Sequence, residues 1–162
     1  MDHLSHGLSK RFVLRGFVNS TEFTSLCEDT YGITGGDITL TENRDLNPNV
    51  TKFVWNAYKI GLDRNPAISD LNNHTGSILD GTNEPKDIAM MVMFSTEFIN
   101  KNYTNAEFLT ILYRVLSGVE PDVPGYNYNL GLLNSGMTRL NMFNSFASST
   151  AYYNMVSGLG ID

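Results

Sequence analysis

The sequence predicts an all-α protein: a compact domain of about eight short helices, built from degenerate repeats of about 55 residues. Apolar residues recur at intervals of three and four, as on one buried helix face. Serine or threonine often precedes these stripes and glycine follows them, as at helix N-caps and C-caps. In addition, residues 53–81 align with residues 108–136 at a constant offset. Residues 37–41 alternate as a strand does, but they are few, so we interpret them as an extended linker or a small edge feature.

The two aligned segments are here called A blocks, and a second recurring segment is called the B block. The positions shared by the A blocks are Phe53 with Phe108, Tyr58 with Tyr113, Pro66 with Pro121, and Gly81 with Gly136. The B block occurs three times, each time with a Ser-Thr pair shortly before an aromatic residue: Ser20 to Phe23, Ser95 to Phe98, and Ser149 to Tyr152.

The order of the blocks along the chain is B, A-B, A-B. This order predicts a single domain over residues 1–162, with a half repeat at 7–33, a linker at 34–49, and repeats at 50–103 and 105–161. Repeated units of this kind bury their apolar faces by stacking on one another.

Each A block is predicted to form two helices. The first helix carries an apolar stripe, made of Val50, Val54, Ala57, Tyr58 and Gly61 in one copy and of Phe108, Leu109, Leu112, Tyr113, Val115 and Leu116 in the other. We expect Asn105 to cap the second of these helices, with Glu107 in its first turn. Pro66 and Pro121 end the first helices, because proline cannot continue a helix. A shorter helix then leads to a left-handed glycine at Gly81 or Gly136.

Each B block is predicted to form a helix, a tight turn and a second helix. Ser9 and Thr138 are the expected N-caps of the first and last copies. The serine of each Ser-Thr pair is expected to cap the helix that follows it. Ala151 stands where the other copies have glutamate, so we expect the last helix to be less well capped.

Composition excludes several classes of function. Charged residues make up 17% of the chain and the net charge is −6, which argues against a nucleic-acid partner and against binding to an anionic membrane surface. No apolar run approaches the roughly 20 residues of a membrane span, so we expect no membrane insertion. Cys27 is the single cysteine, which excludes a disulfide within one chain. The N-terminal residues lack the basic and apolar regions of a signal peptide.

Taken in order, these motifs resemble those of the bacterial family catalogued as domain of unknown function 4214. The residues that carry the resemblance are Phe53 to Tyr58, Arg64-Asn-Pro66, Pro121-Asp122 to Gly125, Ser95-Thr-Glu97-Phe98, and Leu26-Cys27 to Ile33. The resemblance covers nearly the whole chain, from about Gly7 to Ile161. It implies a helical, secreted or surface-attached bacterial module that often stands beside other extracellular domains, with no established catalytic residues. A more distant similarity to the helical linker domains of phycobilisomes suggests a scaffolding fold.

The sequence departs from the family pattern at several motif positions. Arg64 is present in the first A block, but Val119 takes its place in the second. Asp122 and Gly125 are present in the second A block, whereas the first has Ala67 and Asp70. The tryptophan that the family usually carries after the glycine is His74 in one copy and Asn129 in the other.

Candidate catalytic and metal-binding groups are few. Cys27 could act as a nucleophile with His74 as its base, but its place on the apolar stripe with Phe23 and Leu26 favours a buried structural cysteine. Residues 37–45 hold three acids that could offer oxygens to calcium, but they do not match an EF-hand loop, so a solvated linker is favoured. His3 and His6 have the spacing of a ligand pair, but a terminal segment without further ligands is favoured. We therefore expect no catalytic residue, no metal site and no cofactor.

Five residues are the candidates for a binding surface: Trp55, His74, Tyr126, Tyr128 and Asn129. Exposed tyrosine and asparagine are residue types that contact sugars and partner proteins. One of the two tyrosines could instead pack inward while the other covers the core. Phe53, Val54 and Trp55 cannot all face one core, so Trp55 or Phe53 is expected at an interface between units or partly exposed.

The sequence therefore predicts a non-catalytic extracellular or cell-surface interaction module, part of a larger secreted bacterial protein, that binds a surface glycan or another protein. The alternative is a structural assembly domain that oligomerises through its repeats, with the N-terminal half repeat docking onto another chain. A third hypothesis, a cysteine-dependent enzyme, depends on Cys27 alone.

Overall fold

The computed structural model describes residues 6–34 and 36–161. Within these residues it contains eleven α-helices and no strand, so the predicted all-α class is confirmed, with more helices than the number expected. The helices are α1 (Lys10–Val18), α2 (Thr21–Tyr31), α3 (Asn43–Leu46), α4 (Pro48–Leu62), α5 (Ile68–Leu79), α6 (Pro85–Met93), α7 (Thr96–Asn100), α8 (Asn105–Leu112), α9 (Val123–Asn134), α10 (Arg139–Ala147) and α11 (Thr150–Ser157). A π-helical turn, Tyr113–Ser117, continues α8. None of the described helices is long and apolar enough to cross a membrane.

The predicted helix caps are present, with one correction. The side chains of Ser9, Ser20, Ser95, Thr138 and Ser149 each accept a hydrogen bond from a backbone N–H in the first turn of the following helix. Asp122 caps α9 in the same way. The cap of α8 is Thr104 and not Asn105, which is the first helical residue. Thr104 and Glu107 form a reciprocal capping box, and this pairing places the helix start one residue earlier than expected.

The core forms around α4 and the continuous segment of α8 and its π turn. Helix α4 packs against α5, α6 and α7, while the α8 segment packs against α9, α10 and α11. The two central segments also contact each other, which joins both A blocks into one core. The largest fully buried side chains are Tyr152, Phe108, Phe143, Leu71, Ile88 and Met93.

The predicted linker at 34–49 is more structured than expected. Its described residues 37–41 form neither helix nor strand, but α3 and the first two residues of α4 follow within the linker. Arg44 on α3 donates to the Gly7 carbonyl oxygen at 2.8 Å, and its backbone N–H donates to Asn72 Oδ1 on α5 at 3.1 Å. Asp45 was expected in a solvated linker, but its side chain is buried, at 1% exposure.

Asp45 anchors the N-terminal half repeat to the core. Its Oδ1 accepts from the Ser9 backbone N–H at 2.8 Å and its Oδ2 accepts from the Ser9 hydroxyl at 2.6 Å. Gly7 adopts a left-handed φ of 81° and lies so close to Trp55 and Leu71 that a β-carbon would collide with both. The chain is thus fixed at residues 7–9, and α1 and α2 extend from this anchor with no buried residue of their own.

The three B blocks share one helix-turn-helix geometry, here called the B pair: α1–α2, α6–α7 and α10–α11. In each turn the capping serine hydroxyl donates to a carbonyl three residues earlier, at 2.8, 2.8 and 2.7 Å for Ser20, Ser95 and Ser149. The same oxygen then accepts from the N–H three residues later. The Ser-Thr pair therefore produces the same local turn in all three places.

Candidate functional site

Four side chains from the family motifs meet between α4, α5 and α7 and are here called the motif cluster: Tyr58, Arg64, His74 and Glu97. The Arg64 guanidinium donates to both Glu97 carboxylate oxygens, at 2.7 and 2.8 Å. Its carbon Cζ lies 5.2 Å from the centre of the Tyr58 ring. The Tyr58 hydroxyl in turn lies 3.0 Å from His74 Nε2. The cluster ties an A block to the B pair that follows it, because Glu97 belongs to α7 and the other three residues to the A block.

Each ionisable group of the motif cluster is shifted in the direction expected from its surroundings. The two hydrogen bonds from Arg64 lower the pKa of Glu97, and the same bonds raise the pKa of Arg64. Burial lowers the pKa of His74, although the nearby Asp70 opposes this effect. Burial also raises the pKa of Tyr58. The cluster therefore pairs an ionised Arg–Glu bridge with a neutral Tyr–His hydrogen bond.

A small pocket of about 200 Å³ lies beside the motif cluster. Its lining includes Tyr58, Leu62, Arg64, His74, Ser95 and Glu97. The polar side chains of this lining are already hydrogen-bonded to one another or act as helix caps. These hydrogen bonds therefore join α4, α5 and α7 to one another.

The second A block keeps half of this arrangement. Asn129 Nδ2 donates to the Tyr113 hydroxyl at 3.1 Å, across the same sixteen-residue separation as the Tyr58–His74 bond. The ion pair is absent, because Val119 and Ala151 occupy the positions of its two members. The second repeat therefore lacks both members of the ion pair, the arginine and the glutamate.

An open groove of about 600 Å³ lies between α4, α8 and α9 and is here called the α4–α8 groove. It is lined by Lys59, Ile60, Asp63, Tyr103, Ala106, Glu107, Thr110, Ile111, Arg114 and Tyr126. Its four charged side chains already have partners: Lys59 pairs with Asp63, Glu107 belongs to the α8 capping box, and Arg114 pairs with Glu120. The groove is therefore a shallow surface of tyrosine and internally neutralised charge.

The five predicted binding residues do not form one site. Trp55 is partly buried against Gly7 and lies 6.5 Å, ring to ring, from His6. His74 lies in the pocket of the motif cluster. Tyr126 lines the α4–α8 groove and donates to the Ala106 carbonyl oxygen at 2.9 Å. Asn129 is bound to Tyr113, while Tyr128 is 69% exposed.

The candidate catalytic pair Cys27 and His74, and the acids of residues 37–45, do not come together as sites. Cys27 is only partly buried and not in the core, and of its apolar stripe Phe23 is also partly buried whereas Leu26 is exposed. His74, its hypothetical base, is bound to Tyr58. The acids of residues 37–45 are also divided: Asp37 pairs with Arg15, Glu42 with Arg44, and Asp45 with Ser9. Among the described residues no group of three or more potential ligands could hold a metal ion, and His3 lies outside them.

The B pairs differ sharply in burial, and this difference was not expected from the sequence. When the three copies are aligned on their capping serines, the same positions are apolar in each. In the first copy, α1 exposes Val13, Leu14 and Phe17, at 40%, 52% and 61%. The equivalent residues of α6 and α10 are all buried, namely Ile88, Ala89 and Val92 in one and Met142, Phe143 and Phe146 in the other. Helix α2 adds exposed Leu26 and Tyr31. These five residues of α1 and α2 are here called the N-terminal apolar face.

Part of the chain matches a known protein family. Residues 89–156, which run from α6 into α11, match the family model described as Domain of unknown function (DUF4214). This segment is similar to the DUF4214 family. The match confirms the resemblance that the motifs indicated, over a shorter stretch than the motifs covered. Within the DUF4214 segment lie the α8 helix, Tyr113, Asn129 and the last B pair. No curated protein and no solved structure matches the chain.

Sequence reasoning missed two features of these surfaces. The first is the contact between Arg64 and Glu97, although the sequence carried a signal for it: both residues are replaced in the second repeat. The second is the N-terminal apolar face. The B block sequences predict the same apolar stripe in every copy, and only the packing decides which copy is covered.

Proposed function

We propose that this protein is a non-catalytic interaction module of a secreted or cell-surface bacterial protein, and that it binds another protein through the N-terminal apolar face. The observation that carries the proposal is the exposure of Phe17, at 61%, where its counterpart Phe146 is 9% exposed. Val13 and Leu14 lie four and three residues before Phe17 on α1, which places them on one helix face, and exposed apolar patches are characteristic of sites of protein association.

The energetics favour a protein partner for this face. Full burial of one large apolar side chain contributes about 1.5–3 kcal/mol, and the face offers five of them at intermediate or high exposure. Leu14 and Phe17 come from α1, and Leu26 and Tyr31 come from α2. Polar hydrogen-bonding groups, which a glycan requires, are scarce at these positions. The alternative of glycan binding depends on Tyr126 in the α4–α8 groove and on the exposed Tyr128.

The extracellular location rests on the DUF4214 resemblance, which implies a module beside other extracellular domains. The proposal of a non-catalytic role rests on the internal pairing of the motif cluster. Tyr58 and His74 are hydrogen-bonded to each other, and Arg64 is hydrogen-bonded to Glu97, so these side chains already have partners within the fold.

A photo-cross-linking experiment tests the proposed function. A photoreactive phenylalanine is placed at Phe17, and in a matched control at Tyr128, an aromatic residue of similar exposure outside the N-terminal apolar face. Both variants are irradiated with extracts of the cells that produce the protein, and the products are identified by mass spectrometry. The proposal expects a protein adduct from position 17 and none from position 128. Equal adducts at both positions, or glycan-array binding that Tyr126→Ala and Tyr128→Ala abolish, would contradict it.

A further inference from the structure

We infer that the N-terminal apolar face binds an A-type helix pair of a further DUF4214-like unit, and that an arginine at the end of that helix pairs with Glu22. By A-type helix pair we mean the arrangement of α4 and α5, with an arginine at the position of Arg64 in the turn between the two helices. The inference rests on the proposed function and names the chemistry of its partner.

The chain itself contains two examples of the same association. The B pair α6–α7 packs on α4, and the B pair α10–α11 packs on the α8 segment. In each case the B pair covers the A-type helix that precedes it in the repeat order. The B pair α1–α2 has the same turn geometry and the same apolar positions, but no A-type helix of the described chain covers its face.

The contacts in the covered copies indicate what Phe17 requires. Phe146, the counterpart of Phe17, packs edge-to-face on Tyr113 with 4.7 Å between ring centres. Val92, the counterpart in the middle copy, lines the pocket of the motif cluster beside Tyr58. In the last copy, therefore, the A-type segment presents a tyrosine to this position of the B pair. Phe17 fits an aromatic ring of this kind in its partner.

Charge complementarity points to the same partner. Glu22 occupies the position of Glu97, two residues after the capping serine. Glu97 is held by two hydrogen bonds from Arg64, whereas Glu22 is exposed and has no ion-pair partner within the described part of the chain. In the last copy Ala151 and Val119 replace both members of the pair. The glutamate accompanies an arginine-bearing A-type helix, so its presence in the first copy favours a partner with that arginine.

The A-type helices of a second copy of this chain are less suitable. Arg64 is already paired with Glu97, and α4 is already covered by α6 and α7. The α8 segment is covered by α10 and α11 and carries Val119 in place of the arginine. A second copy could accept α1–α2 only by releasing one of its own B pairs. A further unit with an uncovered A-type helix pair avoids this cost.

The test is an extended chain in which a second copy of residues 47–80 directly precedes Gly7. This junction reproduces the native step from Asp80 to Gly81, because Gly7 has a φ of 81° and Gly81 a φ of 76°. Amide hydrogen exchange of α1 and α2 is then compared between the extended and the unmodified protein. If the added helices cover the face, exchange in α1 and α2 slows by about tenfold or more.

Charge reversal supplies the matched control. Glu22→Arg in the extended chain should remove part of the protection of α1 and α2 from exchange. Reversal of the added arginine to glutamate in the same protein should restore that protection. The inference is overturned if α1 and α2 exchange as fast in the extended chain as in the unmodified one, or if the reversed pair restores nothing. Slowing in the unmodified protein that grows with its concentration would also overturn it, because the occupant would then be a second copy.

The outcomes separate this inference from the proposed function. An adduct from position 17 to a protein without a DUF4214-like helix pair would leave the proposed function in place and overturn the identity of the partner. The absence of any adduct at position 17 would contradict the proposed function itself, whatever the extended chain does.

Discussion

The Tyr58 hydroxyl lies 3.0 Å from His74 Nε2, and this bond joins α4 to α5. The equivalent bond in the second A block runs from Asn129 Nδ2 to the Tyr113 hydroxyl, at 3.1 Å. Histidine and asparagine are different residues with one shared property, a nitrogen that reaches the tyrosine hydroxyl from the next helix. The tyrosine therefore links two helices in both A blocks. Only the contact with histidine can depend on pH near neutrality, because asparagine does not titrate.

The first prediction is that His74→Asn removes a pH dependence without removing the contact. Burial lowers the pKa of His74 in the folded protein, whereas the unfolded chain titrates near 6.5. Below about pH 6.5 the unfolded state binds more protons, so the free energy of unfolding decreases as pH falls from there through the folded pKa of His74. The variant should lack this decrease. Urea unfolding at pH 8 and pH 5 measures it.

His74→Ala is the control for the hydrogen bond itself. At pH 8 it should lose about 1 kcal/mol of unfolding free energy, since the Tyr58 hydroxyl loses its partner. The unfolding free energy of His74→Asn should stay within about 0.5 kcal/mol of the native value at that pH, because Asn129 makes the equivalent hydrogen bond to Tyr113. Equal losses for both variants at pH 8 would show that the asparagine does not reproduce the bond.

The second prediction concerns the ion pair of the motif cluster. The hydrogen bonds from Arg64 lower the pKa of Glu97, so the stabilisation from Glu97 is present above its unfolded value and lost as pH falls through the folded value. The native protein should therefore exceed Glu97→Gln in unfolding free energy at pH 7, and the difference should shrink at pH 3. The difference should also decrease in 1 M salt, because the pair is partly exposed. A difference that is independent of pH would contradict an ion-pair contribution.

Much of the local structure could be predicted from the sequence, because helix caps and stripes are encoded by neighbouring residues. Ser20, Ser95 and Ser149 form the expected turns. Thr104 was overlooked, since two adjacent residues could both act as caps and the capping box with Glu107 decides between them. Local sequence therefore predicts where a helix begins to within about one residue.

Long-range features were harder to predict because they depend on which surfaces meet. Asp45 was assigned to a solvated linker, but Ser9, thirty-six residues away, supplies both of its hydrogen bonds. The exposure of Phe17 and the burial of Phe146 follow from the presence or absence of a neighbouring helix and not from the local pattern. The five candidate binding residues were likewise separated by the packing of α4, α5 and α9.

The third prediction compares two equivalent phenylalanines. Phe146→Ala should cost about 3 kcal/mol or more, because it removes a buried ring that packs on Tyr113. Phe17→Ala should change the unfolding free energy by about 0.5 kcal/mol or less, since the ring is largely exposed. Denaturant unfolding of both variants measures the difference. Similar costs at the two positions would mean that the N-terminal apolar face is covered in solution.

The fourth prediction concerns the anchor of the N-terminal half repeat. Asp45→Ala removes both acceptors of Ser9 and leaves the Ser9 backbone N–H without a partner in a buried position, which should cost about 1–3 kcal/mol. The loss should be local: limited proteolysis within residues 10–33 should become faster, while cleavage within α8 to α11 stays unchanged. Mass spectrometry of the early fragments distinguishes the two regions.

Asp45→Asn is the matched variant for this anchor, because its amide keeps one acceptor oxygen and replaces the other with a donor. It can retain one of the two bonds to Ser9, so its proteolysis rate should lie between those of the native protein and Asp45→Ala. Ser9→Gly keeps the backbone N–H but lacks the hydroxyl that also caps α1, so it should be cut at least as fast as Asp45→Asn. If all three variants are cut at the native rate, the half repeat is held by the packing of Gly7 and Leu8 and by the Arg44 hydrogen bond to Gly7. If they are cut in the expected order, the Ser9–Asp45 contact determines how firmly the N-terminal apolar face is attached to the core.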